Sequence, residues 1–112
     1  MDIAFYDDGG GGTRLVIDGE LDMATAGDLD QQVGATLERG PLDRLIVDLA
    51  NLRFCDTSGI YALLRARESA LRHGAAFQVV NVVGITRRSL EITGLLQVLS
   101  AVGAAPAQRP SP

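Results

Sequence analysis

Lysine and tryptophan are absent from this 112-residue chain, and cysteine and histidine occur once each, as Cys55 and His73. A single cysteine excludes an internal disulfide, and Cys55 with His73 cannot assemble the ligand set of a metal cluster. The ten basic residues are all arginine, against fourteen acids, for a net charge of −4. Arg87 and Arg88 are the one adjacent basic pair, so no basic stripe exists to neutralise a phosphate backbone, and nucleic acid is a poor partner. The acidic balance favours solubility and a basic protein partner instead. No apolar run approaches the roughly 20 residues of a membrane span. The opening MDIAFYDDGG also lacks the basic and apolar regions of a secretory signal. The expectation is a cytoplasmic protein with no membrane partner, no metal and no cofactor.

What is present is apolar side chain, 46% of the total, enough for one compact core. IAFY (3–6) and TRLVID (13–18) read as two strands joined by DDGGGG, a hairpin loop. A phosphate-cradling loop needs a following lysine and helix, and this one has neither. Leu29, Val33 and Leu37 recur every fourth residue and predict a helix over 26–38, stopped by Gly40 and Pro41. Thr25 and Asp28 at its start have capping-box spacing. LIVDL (45–49) reads as a strand covered on both faces, which makes a right-handed crossover the expected connection. A second helix follows the corner FCDTSGI (54–60), with Ile60, Leu63, Leu64, Ala70 and Leu71 inward and Gly74 at its end. FQVVNVV (77–83) is a further strand and ITRRSLEITG a short helix closed by Gly94. LLQVLSAV fits a helix or a strand equally. The fold class is therefore α/β, a mixed sheet of four to five strands with helices packed against it. The domain spans 1–102, and the Ala/Pro-rich 103–112 reads as a disordered tail.

FCDTSGI places Asp56, Thr57 and Ser58 where a central strand gives way to a helix. Capping explains one of them, since a helix start exposes unpaired N–H groups that Asp56 or Thr57 can satisfy. It does not require three polar residues and Gly59 together. Enzyme readings fail on missing parts. A nucleophile elbow lacks its first glycine before Ser58, and His73 lies turns away on the same helix. An aspartyl-phosphate switch at Asp56 has Asp7 and Asp8 as a possible acidic pair but no lysine. Catalysis by this chain is not expected. A hydroxyl modified by another protein's kinase fits better. Phosphate on Thr57 would add about −1.5 to −2 charge beside Asp56, repelling a docked partner without unfolding the helix. Cys55, in its apolar setting, reads as a buried small hydrophobe. Asp48 within LIVDL requires a strand end or a hydrogen-bond partner.

VDLANLRFCDTSGI (47–60), preceded by GELD (19–22) and followed by TGLL (93–96), resembles the STAS domains of bacterial anti-sigma factor antagonists over residues 3–102. The resemblance implies a partner-switching protein. Its unphosphorylated form binds an anti-sigma factor with a GHKL-type serine/threonine kinase fold, releasing a sigma factor for transcription. The kinase phosphorylates the first hydroxyl after the aspartate, and a PP2C-type phosphatase reverses this. Carried to this chain, the acceptor is Thr57, with Ser58 as second choice. Asp56 orients the acceptor or the kinase, and Ser58 helps to cap the helix and contacts the partner. Gly59 and Glu20 are expected on the partner surface, as is Asp22, which a turn and helix entry explains equally well. Tyr61 and Arg65, on the outer side of the second helix, are interface candidates because Tyr and Arg often anchor contacts. Arg87 and Arg88 read as a solvated helix face. Two residues depart from the family pattern: threonine in place of the usual serine acceptor, and Cys55 where relatives often carry a larger apolar residue. The family also contains non-switching scaffold subunits of signalling or transporter complexes, the alternative reading.

Overall fold

The computed structural model describes residues 1–103. Its elements are β1 (Asp2–Gly9), β2 (Gly12–Leu21), α1 (Ala26–Glu38), β3 (Arg44–Asp48), β4 (Leu52–Cys55), α2 (Thr57–Arg72), β5 (Ala76–Val80), α3 (Gly84–Thr93) and α4 (Leu96–Ser100). β1 and β2 form the expected antiparallel hairpin, and Gly9, Gly10 and Gly11 turn it at φ 79°, 53° and 86°. β2, β3 and β5 run parallel, in sheet order β1-β2-β3-β5. α1 follows the predicted boundaries and buries the Leu29, Val33 and Leu37 stripe.

The sequence reading placed no strand between LIVDL and the corner, yet β4 lies there. β2 has ten residues and outruns β3: Gly12 to Val16 pair with β3, and Gly19 to Leu21 pair in parallel with β4. The switch occurs at a turn. Asp48 Oδ1 accepts the Ala50 N–H at 2.9 Å, and the Leu52 N–H reaches the Leu49 carbonyl at 3.1 Å. The chain thus returns to the same flank of β2, and the corner is carried to the end of that longer strand.

The core occupies one face of the sheet. Leu15, Ile17, Leu45, Val47, Phe77 and Val79 are buried there beneath Leu63, Ala66 and Ala70 of α2. Val16, Ile46, Gln78 and Val80, on the alternate positions, are half-buried. The expectation that 45–49 is covered on both faces therefore holds on one face only. Arg14 Nη2 and Asp48 Oδ2 form an ion pair at 2.7 Å, so Asp48 is both at the strand end and bonded.

Three further boundaries differ. β5 ends at Val80 rather than 83, because Asn81 adopts φ 57° and takes the chain out of extended backbone. The ambiguous 95–102 segment contains a helix, α4, whose Leu99 is fully buried. Gly103, the first residue of the expected tail, exchanges hydrogen bonds of 2.9 and 2.8 Å with Phe77. Residues 104–112 lie outside the described residues.

Candidate functional site

Asp56 is held from two directions. Its N–H donates to the Leu21 carbonyl at the end of β2, at 3.2 Å, while its Oδ1 accepts the Gly59 N–H at 3.0 Å. Its extended backbone, φ −92° and ψ −172°, makes it the N-cap of α2. One residue thus joins the sheet to the helix, and Asp56, not Thr57, is the cap.

Gly59 completes the junction. A Cβ at this position would sit 2.5 Å from the Leu21 carbonyl oxygen and 2.7 Å from Cys55 Sγ. Real side chains do not approach that closely, so only glycine lets the first turn of α2 press against β2. Cys55 is buried, as expected. Burial first, then the Asp56 charge, pushes its thiol up to about 12, so it stays protonated at neutral pH.

With the cap assigned to Asp56, Thr57 occupies the first helical position and is exposed, and Ser58 follows it half-buried. Neither hydroxyl has a hydrogen-bond partner among the described residues. The expectation that Ser58 helps to cap the helix is corrected: it lies inside the first turn, where Asp56 already satisfies the Gly59 amide.

Glu20 and Asp22 flank the same corner from β2, since Glu20 pairs with Phe54 and Leu21 with Cys55. Glu20 is exposed. Asp22 forms a reciprocal turn: its Oδ1 accepts the Thr25 N–H at 3.2 Å, and its own N–H donates to Thr25 Oγ1 at 2.9 Å. This is a capping box one turn upstream of the predicted one. Thr25 makes no side-chain cap bond to α1: its backbone is already helical, φ −112° and ψ −12°, and its hydroxyl oxygen accepts the Asp22 N–H while the O–H donates to the Glu20 carbonyl at 3.0 Å. Tyr61, one turn along α2 from Thr57, is 56% exposed. Arg65, the next turn on, is engaged with Asp30 of α1 through two bonds of 3.1 and 3.0 Å. Arg87 pairs with Glu91 at 3.0 Å, whereas Arg88 is exposed with no partner among the described residues.

Sequence reasoning missed the apolar residues of this end of the molecule. Met23 is 80% exposed in the turn after β2, and Ile85 is 69% exposed at the start of α3. The signal for Met23 was available: one large apolar residue stranded among turn formers in GELDMAT. Ile85 gave none, because Thr86 and Leu90, rather than Ile85 and Ile92, form the buried face of α3.

Among the described residues, no group of three or more His, Cys, Asp or Glu could hold a metal ion. No described helix is long and apolar enough to cross a membrane. The arrangement offers a free hydroxyl, an adjacent carboxylate and an acidic, partly apolar rim.

The anti-sigma-F factor antagonist RsfB of Mycobacterium tuberculosis is 31% identical over 81 residues, which cover 72% of this chain and 65% of RsfB. The crystal structure of an anti-sigma factor antagonist from Mycobacterium paratuberculosis superposes with TM-score 0.71 at 29% identity, covering 88% of this chain and 83% of that one. The Bacillus cell fate determinant SpoIIAA in its phosphorylated form shares the fold, with TM-score 0.62 at 18% identity over 96% of this chain and 95% of that one. The STAS domain model matches residues 9–106, and with that match over most of its length the chain belongs to the STAS domain family.

Proposed function

We propose that this chain is an anti-sigma factor antagonist that works by partner switching. In the unphosphorylated form it binds an anti-sigma factor with a GHKL-type kinase fold and so frees a sigma factor. The observation that carries this reading is the division of labour at the corner. Asp56 caps α2, and the Thr57 hydroxyl beside it is exposed and unpartnered. A structural cap alone needs no second, free hydroxyl. The antagonist names carried by the Mycobacterium tuberculosis and Mycobacterium paratuberculosis relatives support the same role.

The switching step transfers the γ-phosphoryl group of the kinase's ATP to Thr57 Oγ1. The bond from the γ-phosphorus to the bridging oxygen breaks, ADP leaves, and the hydroxyl proton passes to a carboxylate of the complex. Asp56, with one oxygen on the Gly59 amide and the other free, orients the acceptor. The product carries about two more negative charges beside Asp56, Glu20 and Asp22. Repulsion and bulk then eject the partner, while the helix start tolerates the charge. Ser58 and Tyr61 shape the docking face around the acceptor, while Gly59, expected on that face, is buried and instead seats the first turn of α2 against β2. Hydrolysis by a PP2C-type phosphatase restores the binding form. SpoIIAA, a protein of the same fold, exists in a phosphorylated form.

The test is a pull-down from the native lysate with wild-type, Thr57→Ala and Thr57→Asp baits, read by mass spectrometry. Recovery of a GHKL-type anti-sigma factor by the first two and not the third is expected. Equal recovery of another partner by all three would reduce the corner to a helix cap and the chain to a non-switching scaffold subunit.

A further inference from the structure

We infer that the outer edge of β1 is a docking site of its own, which takes an extended, basic segment of a partner protein as an added strand. The inference stands on the sheet and does not depend on the reading of the Thr57 corner.

The two ends of the β1-β2-β3-β5 order are finished differently. The β5 end is closed. Gly103 exchanges two backbone hydrogen bonds with Phe77, and Gln78 Nε2 donates to the Ser100 carbonyl at 2.9 Å. β1 pairs with β2 alone, and no backbone hydrogen bond joins residues 2–8 to another described segment. A row of N–H and C=O groups therefore faces outward along a strand of eight residues, DIAFYDDG. The common protections of such an edge are missing, since β1 holds no proline and no basic residue. Its one irregularity, between Asp7 and Gly9, lies at the hairpin end and leaves Asp2 to Asp7 in regular register. Ile3 and Phe5 are half-buried on the core side, and Tyr6 is 56% exposed on the other. A strand laid along this edge gains main-chain hydrogen bonds and covers the flanks of both sets.

Charge at the edge itself selects the occupant. Asp2 and Asp7 stand at the two ends of the regular stretch, exposed and outside every ion pair among the described residues. A second copy of this chain is disfavoured by them. Antiparallel pairing of two β1 strands about their middle sets Asp2 of each against Asp7 of the other, and parallel pairing sets each acid against its equal. The cations around β1 are already engaged: Arg14 with Asp48, Arg44 with Asp8, Arg53 with Asp18, and Arg39 over the Phe5 ring, 5.7 Å from its centroid. What complements the edge is a foreign strand with two basic residues five apart, opposite Asp2 and Asp7.

The test titrates the full-length, isotope-labelled chain with the peptide TRVTVTRT, whose arginines have that spacing, and reads amide shifts and hydrogen exchange. Saturable binding is expected, with shifts and slowed exchange concentrated in residues 2–7. TRVPPTRT keeps both arginines but removes a donor from each edge of the peptide, and it should bind about tenfold more weakly or worse. TEVTVTET should not bind. The double variant Asp2→Asn, Asp7→Asn keeps the oxygen that accepts the Gly9 N–H. It should melt like wild type and hold TRVTVTRT about fivefold more weakly. Equal binding of TRVPPTRT would make the peptide a counter-ion and overturn strand addition. Shifts centred away from β1, or no binding of TRVTVTRT, overturn the site. Undiminished binding by the double variant overturns the choice of a basic occupant.

Discussion

Gly59 and Leu21 are in contact through the backbone: a Cβ on Gly59 would lie 2.5 Å from the Leu21 carbonyl oxygen and 2.9 Å from Leu21 Cγ. That carbonyl already accepts the Asp56 N–H, so it cannot move without loosening the cap. Gly59→Ala is therefore expected to destabilise the fold by about 1–3 kcal/mol, as overpacking against a fixed backbone does. Helix propensity alone would favour alanine, so the sign separates the two effects. Urea denaturation of both proteins decides it, and a variant as stable as wild type would mean that α2 is not pressed against β2.

Asp56 combines a cap and a charge, and two substitutions separate them. Asp56→Ala is expected to cost about 1 kcal/mol through the lost bond to the Gly59 amide. Asp56→Asn keeps an oxygen there and should lie within a few tenths of a kcal/mol of wild type. If Asp56→Asn folds normally yet is phosphorylated slowly, the carboxylate acts on the Thr57 hydroxyl. Equal losses of stability for both variants would show that the cap is held by charge rather than by the hydrogen bond.

These relationships were only partly legible in the sequence. The hairpin, α1 and the corner follow from periodicity and from the abrupt change of LIVDL to DTSG. β4 did not, since four residues with a buried–exposed–exposed–buried order carry neither strand alternation nor a helical stripe. Cap assignments failed for a different reason. In DMATAGD both Asp22–Thr25 and Thr25–Asp28 have capping-box spacing, and it is the helical backbone of Thr25, with its oxygen turned back to the Asp22 N–H, that selects the first. Likewise Asp56, Thr57 and Ser58 all have capping side chains. The Asp56–Leu21 bond, formed between strands far apart in sequence, decides which residue stands at the cap.

Asp48 gives the fold a defined acid response. Burial alone would raise its pKa, but the Ala50 N–H, the Arg14 and Asn81 side chains and the Arg14 charge together outweigh burial and hold it below the ordinary 3.8. A carboxyl depressed in the folded state contributes stability above its unfolded pKa and loses it as pH falls through the folded value. Asp48→Asn is expected to cost about 1.5–3 kcal/mol at neutral pH, the worth of hydrogen bonds to a charged group. The gap to wild type should close below pH 3.8. Denaturation at neutral and acidic pH checks this, and a gap that persists unchanged in acid would remove Asp48 from the account.

Cys55 is predicted to be chemically silent in the native protein. It is 5% exposed and its thiol is pushed up to about 12, so the nucleophilic thiolate is scarce and sheltered. An alkylating reagent at neutral pH should label it only after denaturant is added. Labelling in native buffer at the rate of a free thiol would show that the corner opens, because Cys55 Sγ lies against Gly59.

Thr57→Asp is the prediction on which folding and function part company. Thr57 is exposed and its hydroxyl has no partner among the described residues, so removing that hydroxyl costs the fold nothing. The new carboxylate stands in the first turn of α2, where a negative charge is favourable by about 0.3–1 kcal/mol. Repulsion from Asp56 offsets part of this, and the net change in stability should be under about 1 kcal/mol. On binding, the same charge meets whatever surface accepts Glu20, Asp22 and Asp56, placed where a neutral hydroxyl belongs. Loss of the anti-sigma factor complex with unchanged melting is the expected result. Loss of both would make Thr57 a structural residue, and loss of neither would remove it from the interface.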